Sequence, residues 1–263
     1  MIHRRQIGAV NYLNTVPLVW GMLHGPQKEG VELSFSIPST CAADVENGRV
    51  EIGLVPVAEI ARRDLEIVPG VGISCRGAVR SILLFARVPW PKIRTLAADL
   101  SSRTSVELAR VILREKYGVT PEISLREPAL DKMLSEADAA LIIGDPALQV
   151  NPEGYPFEWL DLGAEWFELT GLPMVFAAWA GKAGLPIAEL QAITLGSYDH
   201  GRAALDRIID QEHPGRGISK ELASKYLRRH IFYEIGPKEQ EGWQAFLELA
   251  DLRSAIVEQG TSV

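Results

Sequence analysis

Strand and helix signals alternate along the first sixty residues of the chain. An apolar stretch ends at Asn14, and Pro17 is placed to open a helix after it. The alternating run VELSFSIP predicts a second strand, and the buried run VEIGLVP predicts a third. Three strands joined by two helical crossovers are typical of an α/β layer with a mostly parallel sheet.

A second unit of the same kind follows the proline-containing segment VPWP, and the chain then returns to the first. We therefore predict an α/β fold of two lobes with a ligand cleft between them, residues 1–86 with 176–263 forming one lobe and residues 87–175 the inserted other. The later predicted elements are a strand at Thr95–Ala97, a helix over Thr104–Tyr117, strand EISL, a helix over Ala129–Glu136, strands AALII and MVFAAWAG, and helices over Ile187–Leu195, Ser197–Asp210, Ser219–His230 and Pro237–Ser254.

Charge and cysteine content exclude several classes of protein. A formal net charge of −7 over 263 residues argues against a nucleic-acid partner or an acidic membrane surface, because both need clustered lysines and arginines. Two cysteines do not make a disulfide framework, and no export signal or run of eighteen apolar residues is visible. We expect a cytoplasmic protein, and the oligomeric state stays open.

Several sequence motifs that mark known functional sites are absent. The sequence contains no G-x-x-x-x-G-K-[ST] and no G-x-G-x-x-G, which argues against a nucleotide site. The five histidines are scattered without H-x-x-x-H spacing, and the two cysteines do not form a C-x-x-C motif, so we predict no metal site. The G-x-S-x-G motif of the nucleophile elbow in serine hydrolases is also absent.

Small polar residues at predicted strand ends are the candidates that remain. Asn14 and Thr15 either bind a ligand or cap the helix that Pro17 opens. Three further residues, Ser74, Arg76 and Ser81, lie in and beside the first crossing between lobes, where the floor of a cleft would be, and the alternative there is hinge geometry.

Hydroxyls are also concentrated before the helix of the second unit. The loop supplies Ser101, Ser102, Thr104 and Ser105 near a helix amino terminus, which suits a carboxylate ligand. The T-x-x-E spacing of Thr104 and Glu107 additionally predicts a capping box.

Two further places are open to two interpretations. Asp145 follows strand AALII, where ligands of open α/β sheets bind, although a structural N-cap is favoured there. Thr170 and Gly171 belong to the second crossing, and the neighbouring Trp166 is either core or an aromatic wall of the site.

Five runs in order resemble the chorismate dehydratase family of the futalosine route to menaquinone, and the likeness covers residues 6–255. The resemblance implies a periplasmic-binding-protein type II fold and conversion of chorismate to 3-[(1-carboxyvinyl)oxy]benzoate by loss of water without a cofactor. The sister 1,4-dihydroxy-6-naphthoate synthases carry a histidine after the strand that matches AALII, where this chain has Gly144 and Asp145. The runs are VNYLNTVPL, SCRGAVRSILLF, SSRTSVELARVIL, LIIGDPAL and TGLPMVFAAW.

The resemblance also implies roles for individual residues. Asn14 would orient the dicarboxylate substrate and assist the departing hydroxyl, and Ser81 would donate a hydrogen bond to it. The proton acceptor would be Asp145 or, preferably, the enolpyruvyl carboxylate of the substrate, and Arg76 or Arg80 would add positive charge. The remaining alternatives are a synthase-like enzyme, a solute-binding protein for small anions and a ligand sensor, the last disfavoured by the acidic composition.

Overall fold

The computed structural model of the chain describes residues 4–252, which form two β-sheets with helices packed around them. The first part of the chain contains β1 Arg5–Val10, a 3-10 turn Leu13–Thr15, α1 Val16–His24, β2 Val31–Ser36, α2 Pro38–Glu46, β3 Ile52–Pro56, α3 Val57–Arg63 and β4 Glu66–Cys75. The middle part contains β5 Ile82–Ala86, β6 Thr95–Asp99, α4 Thr104–Tyr117, β7 Glu122–Arg126, α5 Leu130–Glu136, β8 Ala139–Ile143, α6 Gly144–Gln149, β9 Glu158–Asp161 and α7 Leu162–Thr170. The last part contains β10 Met174–Gly181, α8 Ile187–Ala203, α9 Leu205–Glu212, α10 Lys220–Lys225, a π-helical turn Tyr226–His230, β11 Phe232–Glu234 and α11 Pro237–Leu249.

Both sheets combine a parallel part with antiparallel strands. The six-stranded sheet has the order β11-β4-β10-β3-β1-β2, with β1 parallel to β2 and β3, and β10 antiparallel to β3 and β4. The five-stranded sheet has the order β7-β6-β8-β5-β9, with β6 parallel to β7 and β8, and β5 antiparallel to β8 and β9. The parallel strands are those that the alternating helix and strand signals predict.

The chain changes sheet twice, first between Cys75 and Ile82 and again between Asp161 and Met174. Strand β5 pairs with β8 from Ile82 onward, so the second sheet begins before the predicted lobe boundary at residue 86. Strand β10 carries the chain back, as expected for MVFAAWAG. The division into two lobes at residues 86 and 175 stays a prediction.

The predicted helix break between Leu195 and Ser197 is wrong. Helix α8 continues through Gly196 to Ala203. Gln27 packs against Gly196 so closely that its Nε2 would lie 2.5 Å from a Cβ at this position. The glycine therefore serves close packing against the neighbouring turn rather than termination. The last helix ends at Leu249, and Ser254, its predicted end, lies outside the described residues.

A continuous apolar core joins the helices and sheets. Trp20, Trp166 and Trp179 are fully buried in it, and Trp166 is thereby core rather than a wall of a site. Within residues 4–252, none of the helices has both the length and the apolar character that crossing a membrane requires.

Candidate functional site

A small cavity, partly open to solvent, lies between the two sheets where β1, β3 and β8 end. Ligands of α/β sheets characteristically bind at such carboxyl ends. The cavity is lined by Val10, Tyr12, Asn14, Thr15, Pro38, Leu54, Pro56, Ile73, Val79, Ser81, Ile82, Ser102, Arg103, Thr104, Ser105, Ile143, Gly144, Phe176 and Ala177. Six of the residues predicted for the site, from three separate parts of the chain, therefore surround one space.

Asn14 and Thr15 reach the cavity on the 3-10 turn that follows β1. Helix α1 begins at Val16 with Pro17 in its first turn, and the Thr15 side chain makes no capping hydrogen bond to it. The Thr15 hydroxyl is buried and has no hydrogen-bond partner among the residues that the structure describes. A buried hydroxyl without a partner costs free energy unless something else satisfies it, so this group favours a polar ligand.

Ser102, Thr104 and Ser105 form the opposite wall at the start of α4. The Ser102 hydroxyl is also buried without a partner in the described part of the chain. The predicted capping box is wrong, because Thr104 Oγ1 instead donates to the Phe176 carbonyl at 3.1 Å and accepts the Ala58 N–H at 3.3 Å. Thr104 thus ties α4 to α3 and β10 across the cavity.

Ser81 forms the floor of the cavity and is connected to a residue that sequence reasoning missed. The buried hydroxyl of Tyr226 donates to Ser81 Oγ at 2.8 Å. Burial raises the pKa of Tyr226, opposed first by its hydrogen bond to Ser81 and also by Asn14, so the phenol is protonated at neutral pH. No motif signals this contact, because 145 positions separate the two residues.

The backbone before Ser81 is held by a buried carboxylate. Asp161 accepts the N–H groups of Val79 at 2.9 Å and Arg80 at 2.6 Å while it also caps α7. Arg80 adopts a left-handed conformation with φ +67°. Its guanidinium donates to the carbonyls of Ala147 and Val150, away from the cavity, so it does not supply the expected charge.

Four predicted residues lie outside the cavity lining and are engaged elsewhere. Ser74 donates to the Phe232 carbonyl at 2.9 Å, and Arg76 pairs with Glu239 at 2.9 Å above the Phe232 ring. Thr170 and Gly171 terminate α7, with the Thr170 hydroxyl bonded to the Trp166 carbonyl and Gly171 at φ +71°. Ser74 and Arg76 are therefore bonded to the C-terminal part of the chain, and Thr170 and Gly171 to the end of α7.

Asp145 also lies outside the lining, and its carboxylate has two partners. One oxygen accepts the Leu13 N–H at 3.0 Å, and the other pairs with Arg216. Ile143 occupies the N-cap position of α6, so the favoured N-cap interpretation is wrong as well. Asp145 holds the turn that carries Asn14 against the second sheet.

Arg103 supplies positive charge that the sequence reasoning did not assign. It is the one cationic side chain among the lining residues in the described part of the chain. Its Nη1 donates to the carbonyls of Leu100 at 3.2 Å and Ser102 at 3.0 Å, which holds the guanidinium beside the hydroxyl-rich loop. A fixed guanidinium beside free hydroxyls suits a carboxylate.

A chain of hydrogen bonds leads from the cavity into the second sheet. The Tyr12 hydroxyl lies 3.0 Å from Ser101 Oγ, which donates to Asp99 at 2.7 Å. Burial raises the pKa of Asp99, and it raises that of Tyr12 to about 12. The only proton of the Ser101 hydroxyl is donated to Asp99, so Tyr12 is the donor in its hydrogen bond with Ser101. The phenol oxygen of Tyr12 is then free to accept a hydrogen bond from a ligand.

Solved structures share the fold of this chain. A protein from Archaeoglobus fulgidus superposes with a TM-score of 0.77 at 16% identity, covering 95% of this chain and 97% of its own. The periplasmic aliphatic sulphonate binding protein of Escherichia coli gives 0.65 at 15% identity, covering 95% and 86%. The fold is therefore that of the periplasmic binding proteins.

Sequence comparisons identify the family more closely. The chain belongs to the menaquinone biosynthesis family, whose model matches residues 5–251. A chorismate dehydratase from Thermus thermophilus is 28% identical over 265 residues, covering 94% of this chain and 95% of its own length. One from Campylobacter jejuni is 28% identical over 246 residues, covering 92% and 95%.

Proposed function

We propose that the protein removes water from chorismate to give 3-[(1-carboxyvinyl)oxy]benzoate, in the futalosine route of menaquinone biosynthesis. The curated chorismate dehydratases that cover nearly the whole chain support this reaction, and they favour neither a synthase nor a solute carrier. The structural observation that carries the proposal is the pair of buried, unpartnered hydroxyls of Thr15 and Ser102, which share one cavity with Asn14 and Ser81.

The proposed reaction is an elimination that balances without an oxidant or reductant. The C3–H bond of chorismate breaks, its electron pair forms the C3=C4 bond, and the C4 hydroxyl leaves with a proton as water. The product ring is aromatic, which supplies the driving force. The protein therefore has chiefly to bind and orient the substrate, and we propose that it needs neither a metal nor another cofactor.

The two carboxylates of the substrate fit the polar groups at the two ends of the cavity. Arg103 and the Ser102 hydroxyl bind one carboxylate, and the Thr15 hydroxyl and the Asn14 amide bind the other. Apolar side chains such as Leu54, Val79 and Phe176 line the space between them, which suits a flat ring.

We infer that the proton acceptor is the enolpyruvyl carboxylate of the substrate. Asp145, the alternative base, is occupied by the Leu13 N–H and by Arg216 and does not line the cavity. Asn14 and Ser81 would hold the substrate with this carboxylate against the C3 hydrogen and assist the departing hydroxyl.

We further propose that the reaction takes place in the cytoplasm. Both cysteines, Cys41 and Cys75, are free and buried, which suits a reducing compartment. Burial raises the pKa of Cys41 to about 12, so that thiol is not a nucleophile at neutral pH.

The test is to incubate the purified protein with chorismate alone, in buffer with and without a metal chelator, and to follow the aromatic product by chromatography. Equal turnover in both buffers, well above a blank without protein, is the expected result. Binding of chorismate without conversion would overturn the proposal in favour of a carrier, and loss of turnover in chelator would overturn its metal-free form.

A further inference from the structure

The hydroxyl of Tyr226 lies directly behind Ser81, outside the cavity lining. It donates to Ser81 Oγ at 2.8 Å, and the side chain is only 1% exposed. The Asn14 side chain lies near enough to the same hydroxyl to oppose the rise in its pKa. One buried phenol therefore bonds Ser81 and lies near Asn14, the two residues that the proposed reaction uses, but it does not line the cavity itself.

We propose that Tyr226 is a positioning residue that directs the hydroxyl proton of Ser81 toward the substrate. A serine hydroxyl has one proton and two lone pairs, and the Tyr226 proton occupies one lone pair. In the part of the chain that the structure describes, Ser81 Oγ has no acceptor for its own proton other than what enters the cavity. The inference rests on the proposed function, because the group that accepts the Ser81 proton belongs to the bound substrate.

Both partners of this hydrogen bond are fixed in place. The Ser81 carbonyl accepts the Gly144 N–H at 2.8 Å, and the preceding residue is held by Asp161. Tyr226 opens a π-helical turn after α10, and such turns are frequent at functional sites. A donor held rigidly behind a serine costs no reorganisation when the substrate binds, which is what a preorganised site requires.

The first experiment compares Tyr226→Phe with Tyr233→Phe in steady-state turnover of chorismate. Tyr233 is a matched control, because it is also buried and its hydroxyl has no partner among the described residues. We expect Tyr226→Phe to lower kcat about tenfold with KM changed less than about twofold, and Tyr233→Phe to match the wild type. Equal kcat for the wild type and Tyr226→Phe would overturn the inference.

A double-mutant cycle separates positioning from a general structural role. If Tyr226 acts through Ser81, its replacement by Phe should change kcat less than about twofold once Ser81 is already Ala. A structural role predicts instead the same loss in both backgrounds, and that result would also overturn the inference.

The two proposals fail in distinguishable ways. A folded wild type that does not convert chorismate rejects the dehydratase proposal, whereas active wild type with an unaffected Phe variant rejects the role of Tyr226 alone. If Tyr226→Phe does not fold, fluorotyrosine at position 226 keeps the ring and the hydroxyl and changes chiefly the acidity of the phenol. Turnover should then vary with that acidity, and an unchanged kcat would overturn the inference.

Discussion

The carboxylate of Asp145 accepts the backbone N–H of Leu13 at 3.0 Å, across 132 positions of sequence. Asp145 lies in the first turn of α6, which follows β8 of the second sheet, whereas Leu13 begins the turn that follows β1 in the first. Asn14 is the next residue of that turn. The position of the Asn14 amide in the cavity therefore depends on a contact made from the other sheet.

Replacing Asp145 tests this dependence. Asp145→Ala removes the acceptor and leaves the Leu13 N–H unsatisfied, which should cost about 1–3 kcal/mol of stability and lower kcat/KM at least about tenfold. Asp145→Asn retains an acceptor oxygen and should lose less of both. Denaturant unfolding and turnover of chorismate measure the two effects.

The exposed pair of Lys220 and Asp210 provides the control, since Asp210→Ala should leave stability nearly unchanged. If Asp145→Asn lost as much activity as Asp145→Ala while both remained folded, the carboxylate itself would be required. The position of the Leu13 turn would then depend on the charge that pairs with Arg216, and the acceptor for the Leu13 N–H would not be sufficient.

The unpartnered hydroxyls of Thr15 and Ser102 separate ligand binding from stability. Thr15→Val and Ser102→Ala remove no hydrogen bond within residues 4–252, so the free energy of unfolding should be unchanged or slightly raised. Each should weaken binding of a dicarboxylate product analogue by about 1 kcal/mol, roughly fivefold in Kd. Calorimetric titration and thermal unfolding measure the two effects.

Thr104→Val is the contrasting variant, because the Thr104 hydroxyl already bonds Phe176 and Ala58. It should lower the melting temperature. Equal Kd values for wild type, Thr15→Val and Ser102→Ala would show that the cavity does not receive the ligand through these groups.

Asn14→Asp tests the charge complementarity of the site. A carboxylate at this position would repel an anionic substrate and could not donate as the amide does, so kcat/KM should fall by two or more orders of magnitude, an effect of roughly 3 kcal/mol. Asn11→Asp, at an exposed position three residues earlier, is the control and should retain most of the activity. Near wild-type turnover by Asn14→Asp would remove Asn14 from the mechanism.

Local signals predicted the elements of the fold, whereas long-range contacts decided the roles of the polar residues. Strand ends and hydroxyl-rich loops correctly indicated that Asn14, Ser81 and Ser102 would share a space, because carboxyl ends of parallel strands meet at one edge. The predicted capping box at Thr104 is wrong, because the Thr104 hydroxyl donates to the Phe176 carbonyl in β10. Local residue spacing cannot predict this contact, since the two residues are far apart in sequence.

The same reason explains which site residues were missed. Tyr226 contacts Ser81 only because the C-terminal helices fold back behind the first crossing, and no periodicity in the run SKYLRRH signals a hydroxyl contact. Arg76 attracted attention through its charge, yet Glu239, on a helix 163 positions away, neutralises it. Charge and spacing identify candidates, but their partners are set by topology.

The buried carboxylate of Asp99 should give stability an unusual dependence on pH. Burial raises its pKa in the folded protein above the ordinary value of 3.8, with the Ser101 hydrogen bond opposing the shift. The folded state then holds the proton more tightly than the unfolded state. The stability that this provides is complete below pH 3.8 and is lost as the pH rises through the folded pKa.

Asp99→Asn removes the titration but keeps an oxygen that accepts from Ser101. The stability of this variant relative to the wild type should therefore increase between pH 4 and pH 7 in denaturant unfolding. Asp138→Asn is the control of opposite sign, because the Arg94 backbone N–H, followed by that of Thr95, lowers the pKa of Asp138, and that stability is lost as the pH falls. Two results would contradict this expectation: a stability of Asp99→Asn relative to the wild type that stays constant with pH, or one that falls together with that of Asp138→Asn. Either result would mean that Asp99 ionises in the folded protein without a cost in stability. Burial would then not raise the pKa of Asp99.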